Sequence, residues 1–160
     1  MKSLLLGLIY FFLFSINLQE VRQLYPKAKD DASIVDSLYS QLSSVGIEDN
    51  LVLYGYKGAI ATLKAKYVKG IKDKKAFFKE GAEMMEDALA ADPENVELHF
   101  IRFTVQENAP RIVNYHDQIE SDKAIILKNY SLLKEGEVKE MIRSYCKSSK
   151  AFTEEEKATF

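Results

Sequence analysis

The sequence predicts an all-α protein, an antiparallel array of about five or six helices that follows an N-terminal leader. Three observations carry that prediction. Apolar residues recur at three- and four-residue spacing through most of the chain, the pattern of helices that bury one face. Asp or Asn stands before several of these stretches and Gly or Pro after them, where unpaired N–H groups need acceptors and helices need stops. Seven glycines, three prolines and no tryptophan in 160 residues leave few turn formers for a β-sandwich.

The leader comes first. Lys2 supplies a positive start, and Leu4 to Ile16 is apolar apart from the small residues Gly7 and Ser15. The run falls short of the ~20 residues that cross a bilayer. A charged start and a short apolar core form the pattern of a secretory signal peptide, assigned to residues 1–19. No clean small-x-small cleavage site is present, and the mature chain is expected to begin between Leu18 and Val21. The expected location is therefore the periplasm or outside the cell, with membrane contact only through the signal peptide during export. The single cysteine, Cys146, excludes an internal disulfide. The core must hold the fold unaided.

Residues 20–31 are polar, contain Pro26 and read as a linker; residues 32–150 form the helical domain, and 151–160 a tail. Asp30 or Asp31 caps the first domain helix, in which Ile34, Leu38, Leu42 and Val45 share a face ahead of a glycine stop at Gly46. The second helix, from Asn50 to Gly70, has two apolar faces. Val52, Tyr56, Ile60, Leu63 and Tyr67 make the broad one; Tyr54, Gly58, Ala61, Ala65 and Val68 make one of mostly small residues. Small residues admit a neighbouring backbone, so this helix is expected at the centre. The third, Asp73 to Ala91, turns Phe77, Gly81, Met84, Met85, Ala88 and Leu89 inward and stops before Pro93. "ENVELHFIRFTVQEN", "DQIESDKAIILKNYSLL" and "EVKEMIRSYCKSS" supply the fourth, fifth and sixth.

The stretch "EDALAADPENVELHF" resembles the junction between units of a tetratricopeptide (TPR) repeat array: small residues close one helix, an Asp-Pro turn follows, and the next helix starts at once. Gly81 and Ala88 stand where that pattern wants small residues. The resemblance covers about Phe77 to Phe103; the preceding helix lacks the family's aromatic-then-Leu-Gly order, and "NAPRIVNYHD" is an irregular link. It implies a TPR-like array of two degenerate units with flanking helices. In general character the chain is similar to short exported helical proteins of Gram-negative bacteria.

Little in the sequence carries chemistry. His99 and His116 are the only histidines; His116, Asp117 and Glu120 offer two ligands on one helix face, fewer than a transition-metal site needs. No Gly-x-Ser-x-Gly and no phosphate-cradling glycine loop occurs. The expectation is no enzyme activity, no metal and no cofactor. A small metal-dependent hydrolase using His116, Asp117 and Glu120 is one alternative. A carrier of an apolar ligand, suggested by "YGY", "AFF" and "FIRF", is another.

Twenty-two basic and 24 acidic side chains give a formal net charge of −2, so nucleic acid is not an expected partner. The charge is uneven: from Lys57 to Lys79 eight lysines meet one acid, Asp73. Such an edge suits an acidic partner or anionic envelope lipid. Helix-pair arrays make concave binding surfaces and seldom carry chemistry. The function expected is therefore binding of a protein or peptide, acidic in character. Its groove is expected from the strip of His99, Arg102 and Gln106 between the apolar groups of the fourth helix, joined by Lys57 and Lys64 of the second. Arg102 is its anchor, because a guanidinium can grip a carboxylate with two bonds.

Overall fold

A computed structural model describes residues 16–160. All regular structure among them is helical: α1 (Leu18–Ala28), α2 (Ala32–Gln41), α3 (Leu51–Tyr67), α4 (Ile71–Ala91), α5 (Val96–Asn108), α6 (Ile119–Asn129), α7 (Glu137–Ser148) and α8 (Glu154–Lys157), with short 3-10 turns at Arg111–Val113 and Tyr130–Leu132. The signal-peptide assignment falls mostly on residues 1–15, outside the described residues.

The linker is corrected to a helix. Asn17 caps α1 by accepting from the backbone N–H of Glu20, and Pro26 is accommodated inside the helix. Val21, Tyr25 and Ala28 are buried at three- and four-residue spacing. Polar Gln19, Glu20, Gln23 and Lys27 gave the segment its linker-like composition, but they lie on the outer face. The tail is corrected in the same way: Phe152 and Phe160 are buried, and α8 starts with a capping box between Thr153 and Glu156.

Caps account for most helix starts. Asp31 accepts from Ser33 and Ile34 at α2, Asn50 from Leu53 at α3, and Asn95 from Leu98 at α5. Gly46 is not the left-handed stop expected of it: α2 ends earlier, and the Gly46 N–H donates to the Asp49 carboxylate at 2.8 Å. Among the described glycines, positive φ is found instead at Gly136, before α7, and at Gly70, with φ of 90°, where the chain reverses from α3 into α4.

The helix α3 is central in the first half of the molecule. It packs most extensively on α4 and also meets α1, α2 and α5. The small-residue face does what its composition predicts, bringing Gly58 against Gly81 of α4. A first core cluster gathers Val21, Val35, Leu38, Tyr56, Ile60, Met85 and Ile101, among others. A second gathers Phe100, Phe103, Ile126, Tyr130, Ile142, Cys146, Phe152 and Phe160. One helix, α5, feeds both clusters, so it is buried on nearly all sides. Burial pushes the Cys146 thiol up to about 12, which leaves it protonated and inert.

Candidate functional site

Every residue of α5 from Glu97 to Gln106 is buried. The strip of His99, Arg102 and Gln106 is therefore no solvent-facing groove. It lies under α6 and the loop before it, with the three side chains 6%, 7% and 1% exposed. Arg102 does grip a carboxylate with two bonds, but the carboxylate is internal: Nε donates to Asp122 Oδ2 at 2.9 Å and Nη2 to Asp122 Oδ1 at 2.7 Å. Its remaining arm, Nη1, donates to Glu86 of α4 at 2.6 Å. Burial opposes the charge on Arg102, and the bonds and charges of Asp122 and Glu86 outweigh it and hold the guanidinium's pKa above its ordinary value.

His99 completes the cluster. Its Nδ1 lies 2.7 Å from Asp122 Oδ1 and its Nε2 lies 2.8 Å from the Pro93 carbonyl oxygen. A carboxylate and a carbonyl can only accept, so the site is fully satisfied when both ring nitrogens donate, which favours the imidazolium. Desolvation opposes that charge, but the bonds to Asp122 and Pro93 prevail and its pKa is raised. Glu86 also accepts from the Tyr115 hydroxyl at 2.6 Å. Burial, then the Glu86 bond, push that phenol upward. Two cations and two anions thus balance inside a cluster that ties α4, α5 and α6 together. Gln106 extends it by accepting from the Gln118 backbone N–H at 3.0 Å.

The two lysines of the expected groove are elsewhere. Lys57 donates to the carbonyls of Ser43 and Val45, at 2.9 and 2.8 Å, and clamps the loop after α2. Lys64 pairs with Asp36 of α2. Both face α2, whereas Arg102 faces α6. The five residues do not meet in one groove, because each found a partner within the chain.

A second buried cluster explains why α1 is ordered. Arg22 grips Glu97 with Nε and Nη2 at 2.8 and 2.6 Å, and the Tyr56 hydroxyl donates to the same carboxylate at 2.9 Å. Alongside it, Tyr25 and Thr104 share a hydrogen bond of 2.6 Å. Sequence reasoning missed Asp122 and Glu97. A signal for Asp122 was present: it interrupts the apolar stripe of Ile119, Ile126 and Tyr130 at three- and four-residue spacing, where only a paired acid is tolerated.

His116 accepts or donates no metal-like set of bonds; its Nε2 lies 3.0 Å from the Ala109 carbonyl. Among the described residues no group of three or more His, Cys, Asp or Glu side chains is arranged to hold a metal ion. Of the aromatic residues behind the carrier alternative, Tyr56, Phe77, Phe78, Phe100 and Phe103 pack edge-to-face on other aromatic rings, as Phe103 does on Phe152 at 5.3 Å.

Beside the Arg102 cluster the surface dips into an open depression of about 200 Å³ lined by Glu86, Gln106, Asn114, Tyr115, Asp117 and Gln118. Of the charge cluster only Glu86 reaches its lining, held there by Arg102 and the Tyr115 hydroxyl. On its rim, Asn114, held in the left-handed region at φ of 50°, and Asp117 carry no side-chain partner among the described residues. Held side chains beside free hydrogen-bonding groups suit recognition. Comparison with protein-family models, curated proteins and solved structures found no match to this chain.

Proposed function

We propose that this chain is an exported, non-catalytic helical module that holds a protein or peptide segment in the periplasm or outside the cell. The observation that carries the reading is the polar depression between α4 and the 114–118 loop, where Glu86 is held by Arg102 and Tyr115 while the side chains of Asn114 and Asp117 have no partner among the described residues. Export rests on Lys2 and the apolar run from Leu4 to Ile16. A TPR-like pairing of α3 with α4, followed by α5 after Asp92-Pro93, is supported by the close Gly58–Gly81 approach. The cationic side chains expected to attract an acidic partner, Lys57, Lys64 and Arg102, are engaged within the chain. The segment best matched to Glu86, Asp117, Asn114 and Gln118 instead offers N–H donors and a basic side chain.

The test is affinity capture from a native envelope extract with the wild-type chain and with Asp117→Lys. Asp117 is exposed and unpartnered, so the variant should melt like wild type and lose the captured segment. Capture that survives this reversal removes the depression as the binding site.

A further inference from the structure

The α3–α4 reversal is an exposed tip with unusual chemistry, solvent-facing from 69 to 76. Gly70 turns the chain, and Ile71, the first residue of α4, stands 76% exposed. Lys66, Lys69, Lys72, Lys74 and Lys75 surround it, all exposed, with Asp73 the one acid between Lys64 and Lys79. Lys66 and the Tyr67 hydroxyl both donate to the Lys29 carbonyl, at 2.7 and 2.9 Å, which brings the end of α1 with exposed Lys27 and Lys29 beside the tip. The acids there are Asp30, Asp31, which caps α2, and Asp73.

Fold stability does not explain this arrangement. Lysines in the first turns of a helix oppose its macrodipole, whose N-terminal end is already positive. An exposed isoleucine contributes nothing to the core. Among the described residues Lys69, Lys72, Lys74 and Lys75 form no ion pair, whereas Lys57 and Lys64 are both engaged.

We propose that this tip docks on an anionic lipid surface, with Ile71 entering the headgroup region and the lysines around it meeting lipid phosphates. The chemistry of the tip favours a bilayer over an acidic protein. Its cations are lysines, flexible point charges whose apolar stems can lie along lipid while the ammonium stays at the phosphate level. An exposed apolar residue ringed by lysines combines the two attractions that peripheral membrane binding uses. Each lysine near such a surface contributes about fivefold in affinity. No described helix is long and apolar enough to cross a membrane. The inference is independent of the polar depression, which lies on the α5–α6 side.

The chain has no tryptophan, so Ile71→Trp places a single fluorescent probe at the tip. Vesicles of phosphatidylglycerol with phosphatidylethanolamine should shift its emission to the blue, and phosphatidylcholine vesicles should not. In co-sedimentation, wild-type chain should bind the anionic vesicles and release in high salt. The variant Lys69→Glu/Lys72→Glu/Lys74→Glu/Lys75→Glu should lose at least a hundredfold in affinity while keeping wild-type helicity. Vesicle binding unchanged by the four reversals overturns the proposal, as does an unshifted emission in a bound Ile71→Trp protein. Capture of a polyglutamate peptide with no vesicle binding would also overturn it and assign the tip to an acidic polypeptide.

Discussion

Gly58 and Gly81 face each other where α3 crosses α4, so closely that a Cβ on Gly58 would stand 2.6 Å from the Gly81 carbonyl oxygen. The atom it would meet is backbone, which cannot rotate away. Met84 and Met85 close in from the same helix, at 3.0 and 3.1 Å. Gly58→Leu should therefore force the helices apart, at a cost of about 1–3 kcal/mol or more. Urea unfolding measures it, and a wild-type midpoint would mean the two backbones are not in contact.

The Arg102–Asp122 pair should be expensive to break and cheaper to replace. Arg102→Met leaves the buried Asp122 carboxylate with one cation fewer and should cost about 3–5 kcal/mol. The double variant Arg102→Met/Asp122→Leu should destabilise by clearly less than the sum of its single changes, because neither charge is then stranded. Additive losses in a double-mutant cycle would deny the pairing.

His99 makes stability depend on pH. Its folded pKa is raised by Asp122 and Pro93 against desolvation, with the Arg102 cation opposing and Glu86 nearby through Arg102. The sign follows from proton binding: the folded state holds this proton more tightly than the unfolded chain. The stabilisation is complete below the ordinary histidine pKa and is lost as pH rises through the folded value. Melting temperature should fall in wild type as pH rises above the ordinary histidine range, and His99→Gln should flatten that dependence. An equal slope in both proteins would locate the titration elsewhere.

The segment that precedes α2 should behave as core. Val21 is fully buried, so Val21→Ala should cost about 2 kcal/mol. Tyr25→Phe removes the hydroxyl bonded to Thr104 and should cost about 1 kcal/mol. A linker would tolerate both changes, and thermal melts distinguish the two outcomes.

By itself the sequence determined the helical class, the positions of α3, α4 and α5, and the glycine contact of α3. Those features are written in neighbouring residues: apolar spacing, a capping Asn50 or Asn95, the stop before Pro93, and small residues on one face. It also made visible the lysine-rich α3–α4 turn. What the tertiary structure alone decided is which polar side chains are inside. Arg102 meets Asp122 across 20 residues and Arg22 meets Glu97 across 75. A helical wheel assigns an arginine to solvent because water is the default partner of a charge. Only a distant carboxylate, held at the right height on another helix, makes burial the better choice. The same reason turned most of the expected linker, up to Ala28, into helix: Val21, Tyr25 and Ala28 are sparse in sequence, and they count as core only where other helices stand ready to cover them.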